Sequence, residues 1–247
     1  MKSKFYESDY EEALIDLLQE QGWEYTHGGN IHRNNRDVLL KEDMTVYLKR
    51  RYNELTDEDI ENIYNHLRHT SGQTHFELLR NSYYLARDGY RYTRHSDGKH
   101  FDIEYLDFEP ENENNIYRCV NQFEVGYGQK TDVRIPDVML FVNGIPLCIF
   151  ELKNPTDFNA TIADAYEQIH TRYMRDIPHL LRYCPLSCIS DATVNNTKLG
   201  TTYTPYEHYY AWKKVNNEDH AAQRGIDQVK TIVAGAYRPD RFMEILR

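Results

Sequence analysis

The opening segment of the chain has the hydrophobic spacing of a helix with one buried face. Ser8 and Glu11 have the S-x-x-E spacing of a capping box, and Gly22 is a residue type that ends helices. Apolar side chains recur at positions i, i+3, i+4, i+7 and i+8: Tyr10, Ala13, Leu14, Leu17 and Leu18. The pattern predicts a helix from Ser8 to about Gln21.

Helical and strand-like periods divide the rest of the chain. Further helices are predicted over 42–52, 56–69 and 74–87. From residue 89 the apolar positions alternate or form short continuous runs, which is typical of strands. Strands are predicted over 90–93, 101–108, 116–125, 133–142, 145–153, 186–191 and 206–212, with a long amphipathic helix over about 160–176.

Asn143-Gly144 joins the two most apolar of these strands and is a strong hairpin signal. Both strands are apolar on two faces, which predicts that they lie in the middle of a sheet. The elements together predict an α/β fold with a central mixed sheet of about five strands flanked by helices. Residues 1–215 are predicted to form one domain, with about 26–88 as a peripheral helical part, and 216–247 are predicted to form a weakly packed helical tail.

Composition is that of an ordinary globular protein. Apolar residues make up 40% and charged residues 28% of the chain, which excludes a disordered protein. No apolar run has membrane-spanning length, and the N-terminus turns acidic at once instead of forming a signal peptide, so we expect a cytoplasmic protein without membrane association. No CxxC pair occurs, and buried free thiols are expected at the four cysteines: Cys119, Cys148, Cys184 and Cys188.

The formal net charge of −10 argues against a domain that holds nucleic acid alone. Phosphate neutralisation by Lys and Arg supplies most of the non-specific affinity for DNA, so a protein that holds DNA by itself usually has a basic face. An acidic domain can still act on DNA if other domains or subunits hold it, or if the negative charge is concentrated at a metal site.

Pro136-Asp137 and Glu151-Leu152-Lys153 have the PD-x(n)-(D/E)-x-K form, which suits phosphodiester hydrolysis. Two carboxylates can hold Mg²⁺, which polarises a phosphate and acidifies a bound water. Because side chains alternate along a strand, Lys153 lies on the same face as Glu151 and can orient the water or stabilise developing charge. The alternative is a solvated Glu151–Lys153 pair at a strand end. Ionised groups beside apolar strands are costly unless something binds them, which favours the catalytic interpretation.

A shared metal site requires an irregular hairpin. In a regular hairpin with a two-residue turn, Asp137 pairs with Phe150, so Asp137 and Glu151 lie on opposite faces of the sheet. The catalytic interpretation therefore predicts a three-residue turn with Gly144 in the left-handed conformation, a β-bulge in one strand, or departure of Asp137 from the pleat.

Two further residues are candidates for the same site. Glu11, near the start of the first helix, can add a carboxylate to the metal, or it can be only a capping residue. Gln168, on the helix after Lys153, can reach a substrate phosphate or a water on the metal, or it can be an ordinary surface residue. Four cations can form a phosphate-contacting edge or be ordinary surface charge: Lys130, Arg134, Arg172 and Arg175.

The segment from Arg134 to Pro155, RIPDVMLFVNGIPLCIFELKNP, resembles the nuclease motif of the R subunits of type I restriction-modification enzymes. That motif typically reads R-P-D-x-x-x-F-x-N-G-x-P-L-x-x-x-E-x-K-N-P. The resemblance extends over most of residues 7–200. It includes Asn121-Gln122-Phe123, which is similar to an N-Q-F strand, and Ala165 to Pro178, which is similar to an A-x-x-Q-I … Y-x-x-x-I-P helix.

The resemblance implies a restriction-endonuclease-like core and Mg²⁺-dependent cleavage of double-stranded DNA, with Asp137, Glu151 and Lys153 as the catalytic set. It also implies a complex with methyltransferase and specificity subunits, the latter supplying the DNA recognition sequence, and cleavage triggered by ATP-driven translocation. No G-x-x-x-x-G-K-[ST] motif occurs here, so ATP is expected to act only through a motor domain outside this chain, toward which the tail leads. Two alternatives stay open: a non-catalytic docking module of the same complex, and a repair or methyl-directed nuclease of the same fold.

One departure from the family concerns the helix after Lys153. The family pattern commonly reads Q-x-x-x-Y, whereas Gln168 and Tyr173 are five positions apart and Arg172 occupies the expected place. An i, i+4 pair shares a face of an α-helix and an i, i+5 pair does not. The sequence therefore favours Gln168 as a site residue and leaves the role of Tyr173 open.

Overall fold

The computed structural model describes residues 7–129, 132–154, 161–193, 195–216, 218–221 and 225–247. The helices are α1 (Glu7–Glu20), α2 (Lys41–Arg51), α3 (Asp57–Arg68), α4 (His75–Asp88), α5 (Ile162–Glu167), α6 (Met174–Asp176), α7 (Pro178–Leu181), α8 (Gly225–Ala236) and α9 (Pro239–Leu246). A π-helical turn, Gln168–Tyr173, joins α5 to α6. The strands are β1 (Glu24–His27), β2 (Tyr90–Thr93), β3 (His100–Ile103), β4 (Tyr117–Asn121), β5 (Val125–Gly126), β6 (Val133–Arg134), β7 (Val138–Val142), β8 (Ile145–Leu152), β9 (Leu186–Ser190), β10 (Thr197–Thr201) and β11 (Tyr210–Ala211).

Within these described ranges, a mixed sheet of seven strands forms the centre of the fold. Its order is β1-β4-β7-β8-β9-β10-β11; β1 and β4 are parallel, as are β8 and β9, and the other neighbours are antiparallel. The predicted α/β class with a central mixed sheet flanked by helices is confirmed. The sheet is wider than the about five strands expected, because β1 and β10 are short, mostly polar strands toward its two sides, without the apolar pattern of a strand.

The middle of the sheet is the most deeply buried part of the described structure. Every residue of β7, β8 and β9 is buried, as predicted for the two strands that flank Asn143-Gly144. Removal of apolar surface from water contributes roughly 25 cal/mol per Å², so these strands supply much of the stability of the core. All four cysteines are free and buried, also as predicted.

The turn between β7 and β8 is a regular two-residue turn. Asn143 and Gly144 both have left-handed backbone angles, with φ of 52° and 80°, as a type I′ turn requires. The carbonyl oxygen of Gly144 accepts from the N–H of Leu40 at 2.8 Å, and a Cβ at Gly144 would lie 2.1 Å from the carbonyl oxygen of Leu40. Glycine is therefore needed both for the backbone angle and for the close approach of the Leu40 backbone.

A β-bulge in β8 supplies the irregularity that the catalytic interpretation requires. Next to the turn, Phe141 pairs with Pro146, but the following pair is Leu140 with Cys148. Leu147 is therefore an extra residue in β8 without a partner in β7. Of the three irregular hairpins that the sequence allows, the structure has the β-bulge, combined with a regular turn.

The bulge changes which faces of the sheet the two candidate carboxylates, Asp137 and Glu151, occupy. Beyond it, the ladder continues to Val138 opposite Phe150. One further step places Asp137 opposite Glu151, whereas an unbroken ladder would place Asp137 opposite Phe150. Asp137 and Glu151 therefore lie on the same face of the sheet, at the end of the β7–β8 hairpin that is opposite the turn.

The C-terminal helices pack firmly on the sheet, so the weak packing predicted for the tail is wrong. Tyr237, between α8 and α9, is fully buried, and its ring centroid lies 4.7 Å from that of Phe150 in β8. The indole Nε1 of Trp23 donates to the carbonyl oxygen of Tyr237 at 2.6 Å. The tail thus shares the hydrophobic core of the sheet. That it leads toward a motor domain stays a prediction.

The helices α2, α3 and α4 occupy most of the region over about 26–88. Their inner faces carry Met44, Tyr47, Ile63 and Leu67, which are buried in the same hydrophobic cluster as the sheet. In the part of the chain that the structure describes, no helix combines the length and the apolar character needed to cross a membrane.

Two predicted strands are interrupted in the structure: the strand over 116–125 is divided into β4 and β5, and that over 133–142 into β6 and β7. Two others are much shorter than predicted. The strand over 101–108 ends at Ile103, because Tyr105 and Leu106 are buried against other elements outside a ladder. The Tyr105 hydroxyl donates to the carbonyl oxygen of Ile63 in α3 at 2.8 Å. The strand over 206–212 is mostly a 3₁₀ turn, and only Tyr210–Ala211 pairs with β10.

Candidate active site

The C-terminal end of β8 carries Glu151 and Lys153. The side chain of Glu151 has no exposed surface, and the ammonium group of Lys153, whose side chain is 13% exposed, donates to Oε1 of Glu151 at 2.8 Å. The backbone N–H of Lys153 donates to the carbonyl oxygen of Ser190 next to it in β9, at 2.8 Å. The pair is therefore buried at the C-terminal end of the central strand β8, and the alternative of a solvated pair does not hold.

Asp137, which directly precedes the neighbouring strand β7, lies beside the same end of β8. Its Oδ2 accepts a hydrogen bond from the backbone N–H of Leu152 at 2.6 Å. Because β7 begins only at Val138, the Asp137 carboxylate takes the place of a backbone acceptor at the end of the β7–β8 ladder. A buried N–H needs such an acceptor, so this bond holds Asp137 beside the end of β8.

The surroundings of Asp137 disfavour its charged form. Burial, followed by the negative charge of Glu151, raises the pKa of Asp137 to about 9, and Glu11 adds to the rise. The N–H of Leu152 and the ammonium of Lys153 act in the opposite direction. Carboxylates that share a site raise one another's pKa, and a bound divalent cation reverses this effect.

The π-helical turn presents Gln168 and Tyr173 on one face. In a π turn the backbone hydrogen bonds run from residue i to i+5, so residues five apart lie one above the other. Nε2 of Gln168 donates to the hydroxyl oxygen of Tyr173 at 2.8 Å. The expectation that this pair cannot share a helix face is wrong, because it assumed α-helical geometry.

Both side chains of this pair contact the catalytic candidates. Oε1 of Gln168 accepts from the ammonium of Lys153 at 3.2 Å, and the hydroxyl of Tyr173 donates to Oε2 of Glu151 at 3.0 Å. The sequence predicted Gln168 but left Tyr173 open. The signal for Tyr173 was the single extra residue in the Q-x-x-x-Y spacing, which a π turn accommodates because each turn holds more residues than in an α-helix.

Glu11 approaches the site from α1. The helix already includes Glu7, so Ser8 lies inside it and is not the N-cap of the predicted capping box. Nδ2 of Asn121, at the end of β4, lies 3.5 Å from Oε2 of Glu11, and the Asn121 oxygen accepts from the Tyr25 hydroxyl at 2.9 Å. The sequence marks Asn121 only by its resemblance to a family motif and predicts no role for it. That Glu11 is a metal ligand stays a prediction.

The carboxylates at this end of the hairpin fit a Mg²⁺ ion that is coordinated partly by the protein and partly by water or substrate. Proteins commonly hold this ion by one or two carboxylates, with waters and substrate phosphates completing the shell. Asp137 and Glu151, whose charges act on one another, provide such a pair. Within the described ranges, no three His, Cys, Asp or Glu side chains are grouped so that they could hold a metal by themselves.

The predicted phosphate-contacting edge is partly neutralised. Nη2 of Arg134 and Nε of Arg175 each lie 2.6 Å from a carboxylate oxygen of Asp176. Arg172 is exposed, and Lys130 lies outside the described residues. Asp176 therefore offsets part of the positive charge that the sequence placed here.

Comparison with known proteins finds relatives over most of the chain. The chain is 30% identical, over 98% of its length, to the type I restriction enzyme HindI endonuclease subunit of Haemophilus influenzae, and it covers 23% of that protein. It is 32% identical over 85% of its length to a protein of Methanocaldococcus jannaschii, provisionally described as the type I restriction enzyme MjaIXP endonuclease subunit, and covers 20% of it. The chain thus spans about a fifth to a quarter of the length of these relatives.

A family model described as the type I restriction enzyme R protein N terminus matches residues 4–207, which is most of the chain. The residues that carry the active-site geometry, from Glu11 to Tyr173, all fall inside that match. The chain belongs to the family of type I restriction enzyme R protein N-terminal regions.

Proposed function

We propose that this chain is the endonuclease domain of a type I restriction enzyme R subunit, and that it hydrolyses phosphodiester bonds of double-stranded DNA with Mg²⁺. The observation that carries the proposal is the β-bulge at Leu147. The turn next to it is regular, so the hairpin does not need the bulge to close. Its consequence is to bring Asp137 opposite Glu151, beside Lys153, as a metal-dependent phosphodiesterase site requires.

Asp137 and Glu151 would hold the Mg²⁺, which when bound neutralises charge on the phosphoryl group and acidifies a water. Lys153 lies between Oε1 of Glu151 and Oε1 of Gln168, at 2.8 and 3.2 Å. This keeps a positive charge fixed at the site, where it can stabilise the negative charge that develops on the phosphate oxygens.

Hydrogen bonds fix the orientation of Glu151 before any substrate binds. Its Oε1 accepts from Lys153 and its Oε2 accepts from the Tyr173 hydroxyl. Each carboxylate oxygen can accept more than one bond, so both oxygens keep capacity for a metal or a water. Gln168 links Lys153 to Tyr173, and the four side chains form one connected group that holds the site in a single geometry.

The relatives are much longer than this chain, and we propose that other parts of the enzyme supply what it lacks. A motor domain elsewhere in the subunit would use ATP to translocate unmodified foreign DNA, and methyltransferase and specificity subunits would hold the DNA and select its sequence. A domain of net charge −10 then does not need to bind DNA alone. We expect the complex to act in the cytoplasm.

The structure favours this function over the two alternatives. Carboxylates that repel one another in a buried site lower stability, and perturbed pKa values cluster at functional sites, so a site built only for docking has no need of them. The relatives described above are named as endonuclease subunits of type I restriction enzymes, which favours that class over a repair or methyl-directed nuclease.

The test replaces the catalytic side chains in the full-length subunit, reconstituted with its partners. Asp137→Ala, Glu151→Ala and Lys153→Ala should each reduce DNA cleavage by at least about 10²-fold, since each removes charge stabilisation at the reacting phosphate. ATP hydrolysis should stay at the wild-type rate, because the motor lies outside this domain.

A matched control is the exposed ion pair between Lys99 and Glu54. Alanine at either position removes the same type of side chain and should leave cleavage unchanged. A catalytic variant that cuts DNA at the wild-type rate would remove that residue from the catalytic set. If all three cut normally, the domain is a docking module.

A further inference from the structure

A small cavity outside the candidate active site is lined by several cations. It has a volume of about 140 Å³ and lies between the loop before α2, the end of α3, and α7. Its ionisable lining is four basic side chains and one acidic side chain, besides two tyrosines: Arg36, Arg68, His179, Arg182 and Asp37. In a chain with a net charge of −10, this local excess of positive charge points to an anionic ligand.

The protein itself compensates only part of this charge. Asp37 pairs with Arg68, with 2.7 Å between Oδ1 and Nη2. Arg36 donates to a backbone carbonyl oxygen at 2.6 Å, and Arg182 donates to a serine hydroxyl at 3.4 Å. These acceptors carry no net charge. Among the described residues, neither Arg36, which is exposed, nor Arg182, which also donates to the carbonyl oxygen of Thr70, forms an ion pair with a carboxylate.

His179 adds an unsatisfied nitrogen to the same cavity. Its Nε2 is shielded from solvent and has no hydrogen-bond partner among the described residues. Burial, followed by the positive charge of Arg36, lowers the pKa of His179. A buried polar atom without a partner is uncommon in a folded protein, and an anion with oxygen atoms would provide the missing partner.

We propose that this cavity binds a phosphate group through Arg36, Arg182 and His179. Guanidinium groups match the geometry of phosphate oxygens and form strong charge-assisted hydrogen bonds with them. A volume of about 140 Å³ accommodates one phosphate group. The phosphate belongs to the DNA backbone at a position away from the cleaved bond; this choice of source, though not the phosphate chemistry, rests on the proposed function.

Chain connectivity limits the distance between the cavity and the candidate active site. His179 follows Tyr173 by six residues, so an extended chain of at most about 20 Å separates them. Arg36 donates to the carbonyl oxygen of Gly128, in the segment that leads into Asp137. About 20 Å corresponds to roughly six nucleotides along one strand of a duplex. A duplex of ordinary length bound at the candidate site is therefore long enough to span that distance.

The direct test is a calorimetric titration of this chain with inorganic phosphate. Arg36→Gln should weaken binding roughly tenfold, because it removes a charge-assisted hydrogen bond. Arg80→Gln is the matched control: Arg80 is exposed on α4 and contacts the side chain of Asn81, so the same charge is lost elsewhere. Arg182→Gln is a second variant that should also weaken binding, and thermal unfolding verifies that each variant is folded.

A short duplex in the presence of EDTA distinguishes the two sources of phosphate. If the DNA backbone occupies the cavity, Arg36→Gln weakens duplex binding for all sequences alike and lowers the slope of log affinity against log salt by about 1. If phosphate binding responds but duplex binding does not, the cavity serves a free phosphate or a small phosphorylated molecule.

Two results would overturn the proposal: no phosphate binding by the wild-type chain at tens of millimolar, or equal losses for Arg36→Gln and Arg80→Gln. Failure of the proposed function has a different signature, since Asp137→Asn tests cleavage without touching the cavity. A chain that binds phosphate here but whose holoenzyme cuts DNA without Asp137 would lose only the catalytic assignment.

Discussion

The two ends of the β7–β8 hairpin bury polar side chains with opposite effects on stability. At the turn, Asn143 has no exposed surface. Its side chain accepts from the N–H of Ile116 and donates to oxygens of Tyr105 and Asn115, each at 2.8 Å. Both halves of the amide are used, so these bonds replace the hydrogen bonds that Asn143 gives up to water on burial.

At the open end of the same hairpin, the buried groups are carboxylates that repel one another. The pKa of Asp137 is raised to about 9 by burial and by Glu151, and one ammonium, Lys153, is shared between them. Groups of this kind lower the stability of the metal-free fold. The turn end therefore stabilises the fold, whereas the open end lowers its stability in a way that the proposed metal site would explain.

The largest expected change in stability is at the turn. Asn143→Ala leaves the N–H of Ile116 and the carbonyl oxygen of Tyr105 without their present partners, and it places alanine at a left-handed φ of 52°. We expect a loss of about 3 kcal/mol in the free energy of unfolding, measured by urea denaturation. Asn143→Gly separates the two causes, since glycine adopts the backbone angle freely. A loss below about 1 kcal/mol would contradict a structural role for the turn end.

At the open end, metal should stabilise the chain. On the proposed function Mg²⁺ binds the folded carboxylate pair and not the unfolded chain, so at about 100-fold excess over its dissociation constant the expected gain is about 2.7 kcal/mol. Thermal unfolding at increasing Mg²⁺ or Mn²⁺ measures it. Asp137→Asn should abolish the gain, and Asn143→Gly should keep it. A melting temperature that does not move up to tens of millimolar metal would contradict a site formed before DNA binds.

Without metal, removal of one charge at the open end should stabilise the fold. The folded pKa of Asp137, about 9, lies above its value of about 3.9 in an unfolded chain. Its contribution to stability is therefore fully present below about pH 4 and is lost as the pH rises toward 9. Asp137→Asn, whose amide oxygen can still accept from Leu152, should gain about 1–2 kcal/mol at pH 8 in EDTA.

The pH dependence separates this electrostatic effect from a general change in packing. At pH 4 the wild-type carboxyl is protonated in the folded chain and about half protonated in the unfolded chain, so the difference between Asp137→Asn and wild type should be much smaller than at pH 8. A gain of equal size at both pH values would show that the variant stabilises the fold for another reason, and that the open end is not under electrostatic strain.

Local signals in the sequence were sufficient for the elements of the site but not for their register. The apolar runs, the Asn143-Gly144 turn and the PD-x(n)-(D/E)-x-K spacing are local, and they predicted the two strands and the three residues that the hairpin brings together, whose catalytic role stays a prediction. That the hairpin must be irregular also followed from the alternation of side chains. The position of the bulge did not follow, because several irregular hairpins bring Asp137 opposite Glu151 equally well.

One residue in β8 is compatible with the observed position of the bulge, although our sequence analysis did not use it. Pro146 sits in a central strand, where it cannot donate to the ladder, and proline in such strands is confined mainly to strand starts and bulges. The unpaired Leu147 follows it directly. The seven-strand width of the described sheet was less accessible, since the polar strands β1 and β10 are recognised only through their neighbours.

The smallest effect we predict concerns Tyr173, which connects the π turn to the open end of the hairpin. Tyr173→Phe removes the bond to Oε2 of Glu151 and the acceptor for Nε2 of Gln168, but it leaves the ring in place. We expect a loss of roughly tenfold in cleavage by the holoenzyme, with unchanged ATP hydrolysis, since one hydrogen bond to a charged group is lost. A higher Mg²⁺ concentration should be needed for half-maximal cleavage, because Glu151 is then less firmly oriented.

A positioning role for Tyr173 can be distinguished from simple packing. Tyr166→Phe is the matched control: Tyr166 lies on the same helical segment, stacked on His170 with ring centroids 3.9 Å apart, and its loss should leave the Mg²⁺ dependence unchanged. Deletion of Arg172 tests the π turn itself. It restores the four-residue spacing that shares a face in an α-helix, so the Gln168–Tyr173 bond can re-form and cleavage should exceed that of Tyr173→Phe. If the deletion variant cuts no better than Tyr173→Phe, the five-residue spacing is required in its own right, and the π turn does more than absorb one extra residue.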